Sequence, residues 1–500
     1  MAPAMAFRAR LPHRAAAVAV LLLTALLLLM VVRLPWSGDL GMHGAVLERL
    51  RADLFHPGNP LVDEDTVSPY YSPWAVALAL VATVSGWGTF GVLRLAALGG
   101  LALLGSGIAA FVRTFSRRRA AVPLGLLCVL LLYGVRLFAW SGVPGLSSLC
   151  LTLAYPSTFA LGLTFHLWAL LRWGLQEAWG LLGFLGLGML LAAALLCHQF
   201  TGAVAVLGVG ALLVGARPGP DRKLWLRMAA GGALAMLVLL CWPYYPFLAL
   251  LDGGGMDAVH RPLYDFLPER FCLVGLGVVA LAIRWWRDRR DPLALLFALG
   301  AVIFAAGWLS GHYAWGRVLP AMLLPAQLAL AVEVAEAQGA GLRRALPAVT
   351  VAALLVGAWM QAGVLSYVLR RDAIPPVLRD APAFGLWRGL GWAVARVPKG
   401  ATVMTDDFYA LRTLPAYGPY TVAPAYPDLF LPDEKRRRDA TRRYFAPATS
   451  RAERLGILKE YGVRWVLQKN GGGGLAPDDP ALRRAARGPG GLALLEVVRP

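Results

Sequence analysis

The sequence predicts an α-helical polytopic membrane protein of about eleven transmembrane helices, followed by a small C-terminal α/β domain outside the bilayer. Three observations carry this reading. Of the 500 residues, 58% are hydrophobic and only 15% charged, whereas soluble domains carry about 25% charged residues. The mean hydropathy is +0.59, and most apolar residues gather in runs of about 18 or more, long enough to cross a hydrocarbon core. The formal net charge of +19 falls largely in short clusters between those runs: Arg117-Arg118-Arg119, Arg222/Lys223/Arg227, Arg284/Arg287/Arg289/Arg290 and Arg343-Arg344. Positive-inside topology produces that pattern. No aromatic-basic ladder suited to nucleic acid accompanies it.

The elements follow in order. Arg8, Arg10, His13 and Arg14 precede the apolar run 15–32 without a clear A-x-A cleavage site, so an uncleaved span at 15–34 with a cytoplasmic N-terminus is expected. Residues 35–73 then lie outside. Residues 74–85 (WAVALALVATVS) are too short to cross, and the parity of the basic clusters makes them an interfacial or re-entrant helix. A second span, 88–113, delivers the triple arginine to the cytoplasm. Further spans are expected at 120–140, 157–174, 178–197, 202–216, 226–247, 268–286, 293–311, 317–335 and 345–365. Residues 1–365 thus form a polytopic domain with an outer loop at 35–87, in an inner (plasma) membrane.

Residues 366–500 are polar, rich in Arg and Pro, and read as an extracytoplasmic α/β domain. Within it "GATVMTD" (400–406), "VRWVLQK" (463–469) and "LALLEVV" (492–498) read as strands. "DEKRRRDATRRYF" and "SRAERLGILKEYG" read as helices, the second capped by Ser450 with Glu453 three residues on. The glycine run 471–474 reads as a turn, because no helix with Lys-Ser/Thr follows it. Cys128, Cys150, Cys197, Cys241 and Cys272 lie in or beside apolar segments, without metal-like spacing; they read as small hydrophobes, with a disulfide among Cys150, Cys197 and Cys272 unsupported.

The candidate chemistry lies in the outer loops. Asp39 follows Trp36 within a few residues of the first span, where a charge is costly and marks function. In a helix over 39–50, Asp39 and His43 share a face at i, i+4. A carboxylate there is able to act as general base toward a sugar hydroxyl or, with His43, to hold a divalent cation such as Mg or Mn. The same loop carries Asp63, Glu64 and Asp65. His198 and Thr201 stand at a hairpin tip. In His312-Tyr313-Ala314-Trp315-Gly316-Arg317, Arg317 enters the outer end of a span, where a guanidinium needs an anionic partner and phosphate offers a bidentate one. His260-Arg261 is a weaker candidate for that role. Each residue also has an ordinary reading as a solvated or snorkelling surface group. The absence of Walker A, zinc and G-x-S-x-G sequences argues against an ATP-driven pump or a serine hydrolase.

The layout resembles the GT-C class of polytopic glycosyltransferases. The first span followed by "GDLGMH", the acidic outer loop, "YYSPWAVALALVATVSGWGTFGVLRLAALGG", "HQFTG" and "GHYAWGRVLP" carry the likeness. The segment "VPKGATVMTDDFYALRTLPAYGPYTVAPAYPDLF…YGVRWVLQ" looks like the extracytoplasmic domain of actinobacterial-type members. The resemblance implies transfer of a sugar from a polyprenyl-phosphate donor to a glycan, lipid or protein acceptor at the outer face, usually with inversion. It implies Asp39 as base or metal-proximal residue and one of Asp63, Glu64 or Asp65 as second acidic element. Donor-phosphate contacts would come from Arg317, with His312, Arg261 and His198 as further candidates. The oligosaccharyltransferase signature of the WWDYG type is absent, which argues against protein N-glycosylation. Two alternatives stand beside this: a transporter or lipid flippase, for which no internal repeat is visible and His166 is the main mid-span ionisable residue, and a non-catalytic envelope assembly protein.

Overall fold

The computed structural model describes residues 2–252, 256–337, 342–387 and 389–498. Side chains 2–13, 251–252 and 342–344 are not described, which leaves Arg8, Arg10, His13, Arg343 and Arg344 outside the described side chains. The chain folds as two compact units. One comprises Met1–Pro35, Arg94–Cys241 and Gly254–Phe384, the other Trp36–Leu93, Trp242–Gly253 and Gly385–Pro500. The outer loop thus groups with the C-terminal residues, where the sequence suggested a boundary at 365/366.

In the first unit, apolar runs become helices because only a helix satisfies its backbone within one segment in lipid. Among the described residues, six helices are long and apolar enough to cross a membrane: Arg14–Arg33, Thr89–Arg113, Arg222–Leu240, Pro292–Ser310, Tyr313–Glu336 and Ala345–Tyr367. The number reaches eight if the bent pairs Leu146–Thr152 with Pro156–Gln176 and Asp257–Tyr264 with Leu267–Arg287 each form one span. Ala121–Leu131, Leu181–Cys197 and Gln199–Val214 are shorter apolar helices. By length and composition the expected total of about eleven is therefore not reached.

The largest departure lies at 120–140, where the helix stops at Leu131. The chain beyond it pairs instead with residues near 270. The amides of Val135 and Arg136 donate to the Glu269 carbonyl at 2.7 and 3.0 Å, and the Leu273 amide donates to Tyr133 at 2.9 Å. A Cβ at Gly134 would lie 2.2 Å from the Glu269 carbonyl oxygen, so only glycine admits the approach. The helix end leaves carbonyls without intrahelical donors. Two buried glutamines meet them: Gln361 Nε2 donates to Leu130 at 3.1 Å and Gln327 Nε2 to Leu132 at 2.8 Å. His166 lies 3.1 Å from the Ser106 hydroxyl, a hydrogen-bonded helix histidine. Arg284 is ion-paired with Asp291 at 2.6 Å and Glu333 at 3.3 Å. Among the described residues the cysteines form no disulfide.

The second unit is built on a five-stranded sheet of order β2-β1-β3-β5-β4. Its strands are β1 (Thr402–Met404), β2 (Tyr420–Thr421), β3 (Val463–Lys469), β4 (Leu482–Arg487) and β5 (Leu492–Val497). β1 is parallel to β2 and β3, whereas β5 is antiparallel to β3 and β4. Met404, Val466 and Leu495 pack with Tyr444, Ile457 and Leu458 in one cluster; Val403, Leu467 and Leu494 pack with Ala393, Ala410 and Leu414 in another. The helices Glu434–Phe445 and Arg451–Glu460 form as expected, and Ser450 Oγ accepts the Glu453 amide at 3.2 Å. β4 escaped the sequence reading because LRRAAR has no apolar alternation; only its first residue is buried.

The loop helix Leu40–Ala52 belongs to this unit and lies tightly against residues 412–416. A Cβ at Gly41 would sit 1.7 Å from the Arg412 carbonyl oxygen, and one at Gly44 would sit 2.8 Å from the Ala416 Cβ. Arg49, buried on the same helix, donates to the carbonyls of Gly418 at 2.8 Å and Pro419 at 2.7 Å, with its guanidinium 3.5 Å above the Tyr420 ring. Glu48 pairs with Lys399 at 2.5 Å and bonds Thr89. Replacing Arg49 by methionine keeps the stem but strands both carbonyls. We expect a loss of about 2 kcal/mol, read as a lower thermal midpoint and faster proteolysis in the 418–420 turn.

Candidate functional site

Two groups of the expected residues come together, one in each unit. In the second unit, Asp39 stands at the N-cap position of the helix Leu40–Ala52, half-buried, and its carbonyl accepts the His43 amide at 3.1 Å. Its side chain does not cap the helix. At the preceding residue, the Tyr426 hydroxyl donates to the Gly38 carbonyl at 3.2 Å, and the Tyr426 ring lies 4.7 Å from the Arg412 guanidinium.

His43 is buried, its ring edge-on to Trp74 at 5.6 Å and to Tyr70 at 6.4 Å. Burial among these rings disfavours the imidazolium and lowers its pKa to about 3, so His43 is neutral at physiological pH. The unfolded chain takes up this proton near pH 6.5 and the folded chain only near pH 3. The stabilisation is therefore complete above about pH 6.5 and lost as pH falls toward the folded value, by up to about 1.4 kcal/mol per pH unit. Thermal midpoints measured from pH 7 to pH 5 should fall less in His43→Phe than in the wild type; equal slopes would refute the assignment.

The acidic triplet separates into individual roles. Asp63, Glu64 and Asp65 are all exposed. Glu64 forms an ion pair with Arg437, a buried arginine that also bonds Asp433 at 2.9 Å. The Glu64 carbonyl accepts the Asn59 amide at 2.8 Å, and Asn59 Nδ2 donates to Asp428 at 2.8 Å. Glu64 thus fastens the loop to the helix Glu434–Phe445. Among the described residues, no group of three or more His, Cys, Asp or Glu side chains is placed to hold a metal ion, so Asp39 and His43 gain no third ligand of that kind.

In the first unit, Arg317 lies in the short 3-10 segment Tyr313–Val318, ahead of Pro320, which starts the following helix without needing an amide partner. Its Nη2 is 3.1 Å from His198 Nε2, and its guanidinium lies 4.5 Å from the Phe200 ring and 5.9 Å from the Trp140 ring. These four side chains, with Ser141, Thr201 and Leu263, line a narrow pocket. Arg261 and His312 are exposed, set against Tyr313 and Trp315, and are not among its lining side chains. His260 is buried instead, its ring 5.2 Å from Phe200 and 6.1 Å from Trp140. Trp140 and Phe200 were not singled out in the sequence; their aromatic character at the ends of apolar runs was the available signal.

The hydrogen bonding of His198 is informative. Its Nδ1 caps the helix Gln199–Val214 by accepting the Thr201 amide at 3.2 Å, and lies 2.8 Å from the Thr201 hydroxyl. With Nδ1 engaged at the helix start, Nε2 lies at hydrogen-bond distance from the arginine and ties it to that helix. An arginine held this way at the lining of a pocket offers an anion a charge-assisted bond.

No family model matches the sequence, and no curated protein does. Solved structures do. The structure of the arabinofuranosyltransferase AftD from Mycobacteria is similar over 97% of this chain, with TM-score 0.58 and 15% identity, and a mutant form of the same enzyme matches with TM-score 0.57. This chain spans 40% of the length of that enzyme chain. The oligosaccharyltransferase of Archaeoglobus fulgidus matches more loosely, over 89% of this chain and 68% of its own, at TM-score 0.45 and 12% identity. The helical arrangement with its first-loop helix and small sheet is therefore the GT-C fold.

Proposed function

We propose that this protein is a membrane-embedded glycosyltransferase that moves a sugar from a polyprenyl-phosphate donor to a glycan, lipid or protein acceptor at the outer face of the plasma membrane, with a cytoplasmic N-terminus. The observation that supports it most is the Arg317 guanidinium, hydrogen-bonded to His198 at 3.1 Å and lining a pocket with Trp140 and Phe200, in a chain of GT-C fold.

In this reading, Arg317 and His198 hold the donor phosphate and neutralise the charge that grows on its bridging oxygen as the C1–O bond breaks. An acceptor hydroxyl forms the new bond at C1, and its proton passes to the Asp39 carboxylate. The phosphate leaves on the lipid. Trp140 and Phe200 flank the guanidinium and keep it oriented; their π faces hold a cation without supplying an anion that would compete with phosphate. His43, neutral at physiological pH, helps set the helix that carries Asp39. Glu64 acts through Arg437, as a positioning residue; Asp63 and Asp65 remain exposed carboxylates of the same loop.

The test uses the purified full chain in lipid nanodiscs with a panel of polyprenyl-phosphate pentoses and hexoses, following release of polyprenyl phosphate. One donor should turn over, and Asp39→Asn should lower kcat by about 10²-fold with little change in donor affinity. Full turnover by Asp39→Asn on that donor would remove Asp39 from the role of base.

A further inference from the structure

The order of the sheet in the second unit creates a place for a ligand that the reading above leaves unused. From β1 the chain passes to β2 on one side; from β2 it returns through the helices Glu434–Phe445 and Arg451–Glu460 to β3 on the other. β1 and β3 are parallel neighbours whose following connections depart in opposite directions. In α/β sheets, ligands bind at the crevice outside the carboxyl ends of two such strands. Here those ends carry Thr405-Asp406-Asp407-Phe408 and Lys469-Asn470.

The side chains there are unusual for a solvated turn. Asp407 accepts the amides of Tyr409 and Ala410 at 3.1 and 2.9 Å, capping the short helix Phe408–Thr413. That helix buries Ala410 and Thr413, which turns Phe408 and Tyr409 outward, 53% and 48% exposed. Trp387 joins them, its ring 5.9 Å from Phe408 and 5.5 Å from Tyr409. Asp406, two residues ahead of Phe408 in the chain, is exposed, and Lys469 is near enough to act on its charge. Contiguous exposed aromatic rings on a folded domain mark a contact surface.

We propose that the carboxyl end of β1 is a glycan-binding site, in which Trp387, Phe408 and Tyr409 pack against sugar rings while Asp406 and Lys469 hydrogen-bond their hydroxyls. A sugar presents C–H groups on its ring faces and hydroxyls at its rim, which matches aromatic rings bordered by an acceptor and a donor. A bilayer-facing aromatic belt is the rival use of such rings. The charges beside them balance, Asp406 and Asp407 against Lys469 and Arg412, whose guanidinium covers one face of Phe408 at 3.8 Å, so they give no net pull toward an anionic lipid surface; the edge-to-face packing of the rings at 68–86° gives a creviced surface instead of a flat apolar one. The proposal deepens the glycosyltransferase reading, since the glycan held here would be its acceptor.

The experiment measures binding without turnover. Full-length protein in zwitterionic nanodiscs is titrated with neutral hexasaccharides of arabinofuranose, mannose and glucose, followed by saturation-transfer NMR and calorimetry. At least one should bind. Phe408→Ala and Tyr409→Ala should each weaken it about 10-fold, and Asp406→Asn several-fold, with unchanged thermal midpoints because these side chains are exposed. No binding of any hexasaccharide at about 10 mM, or equal affinity in wild type and both ring variants, overturns the site. So does a ring-variant loss confined to flotation with phosphatidylglycerol vesicles. Glycan binding that depends on the rings, in a protein that transfers no sugar from any donor, would leave the site standing and remove the glycosyltransferase reading. Transfer whose acceptor KM ignores both ring variants would do the reverse.

Discussion

Arg317→Ala should lower kcat/KM for the lipid-linked donor by about 10³-fold, equivalent to roughly 4 kcal/mol of transition-state stabilisation. Among the described residues, the guanidinium is the one permanent cation lining the pocket that it shares with His198, Trp140 and Phe200. Arg317→Lys should recover only part of the loss: an ammonium keeps the charge but not the planar fork that meets two phosphate oxygens or lies against Phe200 at 4.5 Å. The effect should fall mainly on kcat if the arginine meets charge that grows during bond breaking, and on KM if it meets phosphate equally before and after. His198→Gln should fall between wild type and Arg317→Ala, because an amide keeps a hydrogen-bonding group but loses the ring geometry. Activity of Arg317→Ala within a few-fold of wild type would remove this pocket from the reaction.

Gly41→Ala should be among the most damaging single-methyl changes in the second unit. The new Cβ would stand 1.7 Å from the Arg412 carbonyl oxygen. That neighbour is backbone, so relief requires the helix Leu40–Ala52 to withdraw from residues 412–416, loosening the Arg49 bonds to Gly418 and Pro419 as well. Overpacking of this kind costs about 3 kcal/mol or more. The measurement is the thermal midpoint of the purified protein together with protease sensitivity in 385–420. Gly88→Ala is the control: its Cβ would meet nothing within 4 Å, and its midpoint should match the wild type. Equal midpoints for the two variants would mean that the helix is free to shift.

Both predictions rest on contacts of differing visibility in the sequence. The apolar runs were legible because hydropathy reports burial in lipid directly; helices occur at or near each expected span. The stop at Leu131 was not, because VLLLYGVRLF stays apolar while the backbone turns to bond Glu269, a carbonyl more than 130 residues away. In the candidate site, Asp39 and Arg317 drew attention as charges beside apolar runs, and "HQFTG" supplied His198. Their partners were hidden. Nothing local pairs Glu64 with Arg437 or Arg49 with the 418–420 turn, since such pairings join residues about 370 positions apart. Arg261 and His312 carried the same residue chemistry as Arg317, and only three-dimensional placement separates them from it. The rings at 408 and 409 were equally visible as letters. What gave them meaning was the strand order, which a single sequence does not display.

The glycine-lined seam between the helix Leu40–Ala52 and residues 412–416 also has a consequence for biosynthesis. Residues 36–93 leave the ribosome long before residue 385, with about 290 residues of further helices made in between. At about 5–20 residues per second, the early loop waits some 15–60 s with its buried arginine and its glycine face unmatched. The second unit therefore cannot mature as it emerges; its first part must be kept from wrong partners until its last part arrives. Truncation near residue 385 should then leave the loop a substrate for quality-control proteases even though the membrane helices precede that point.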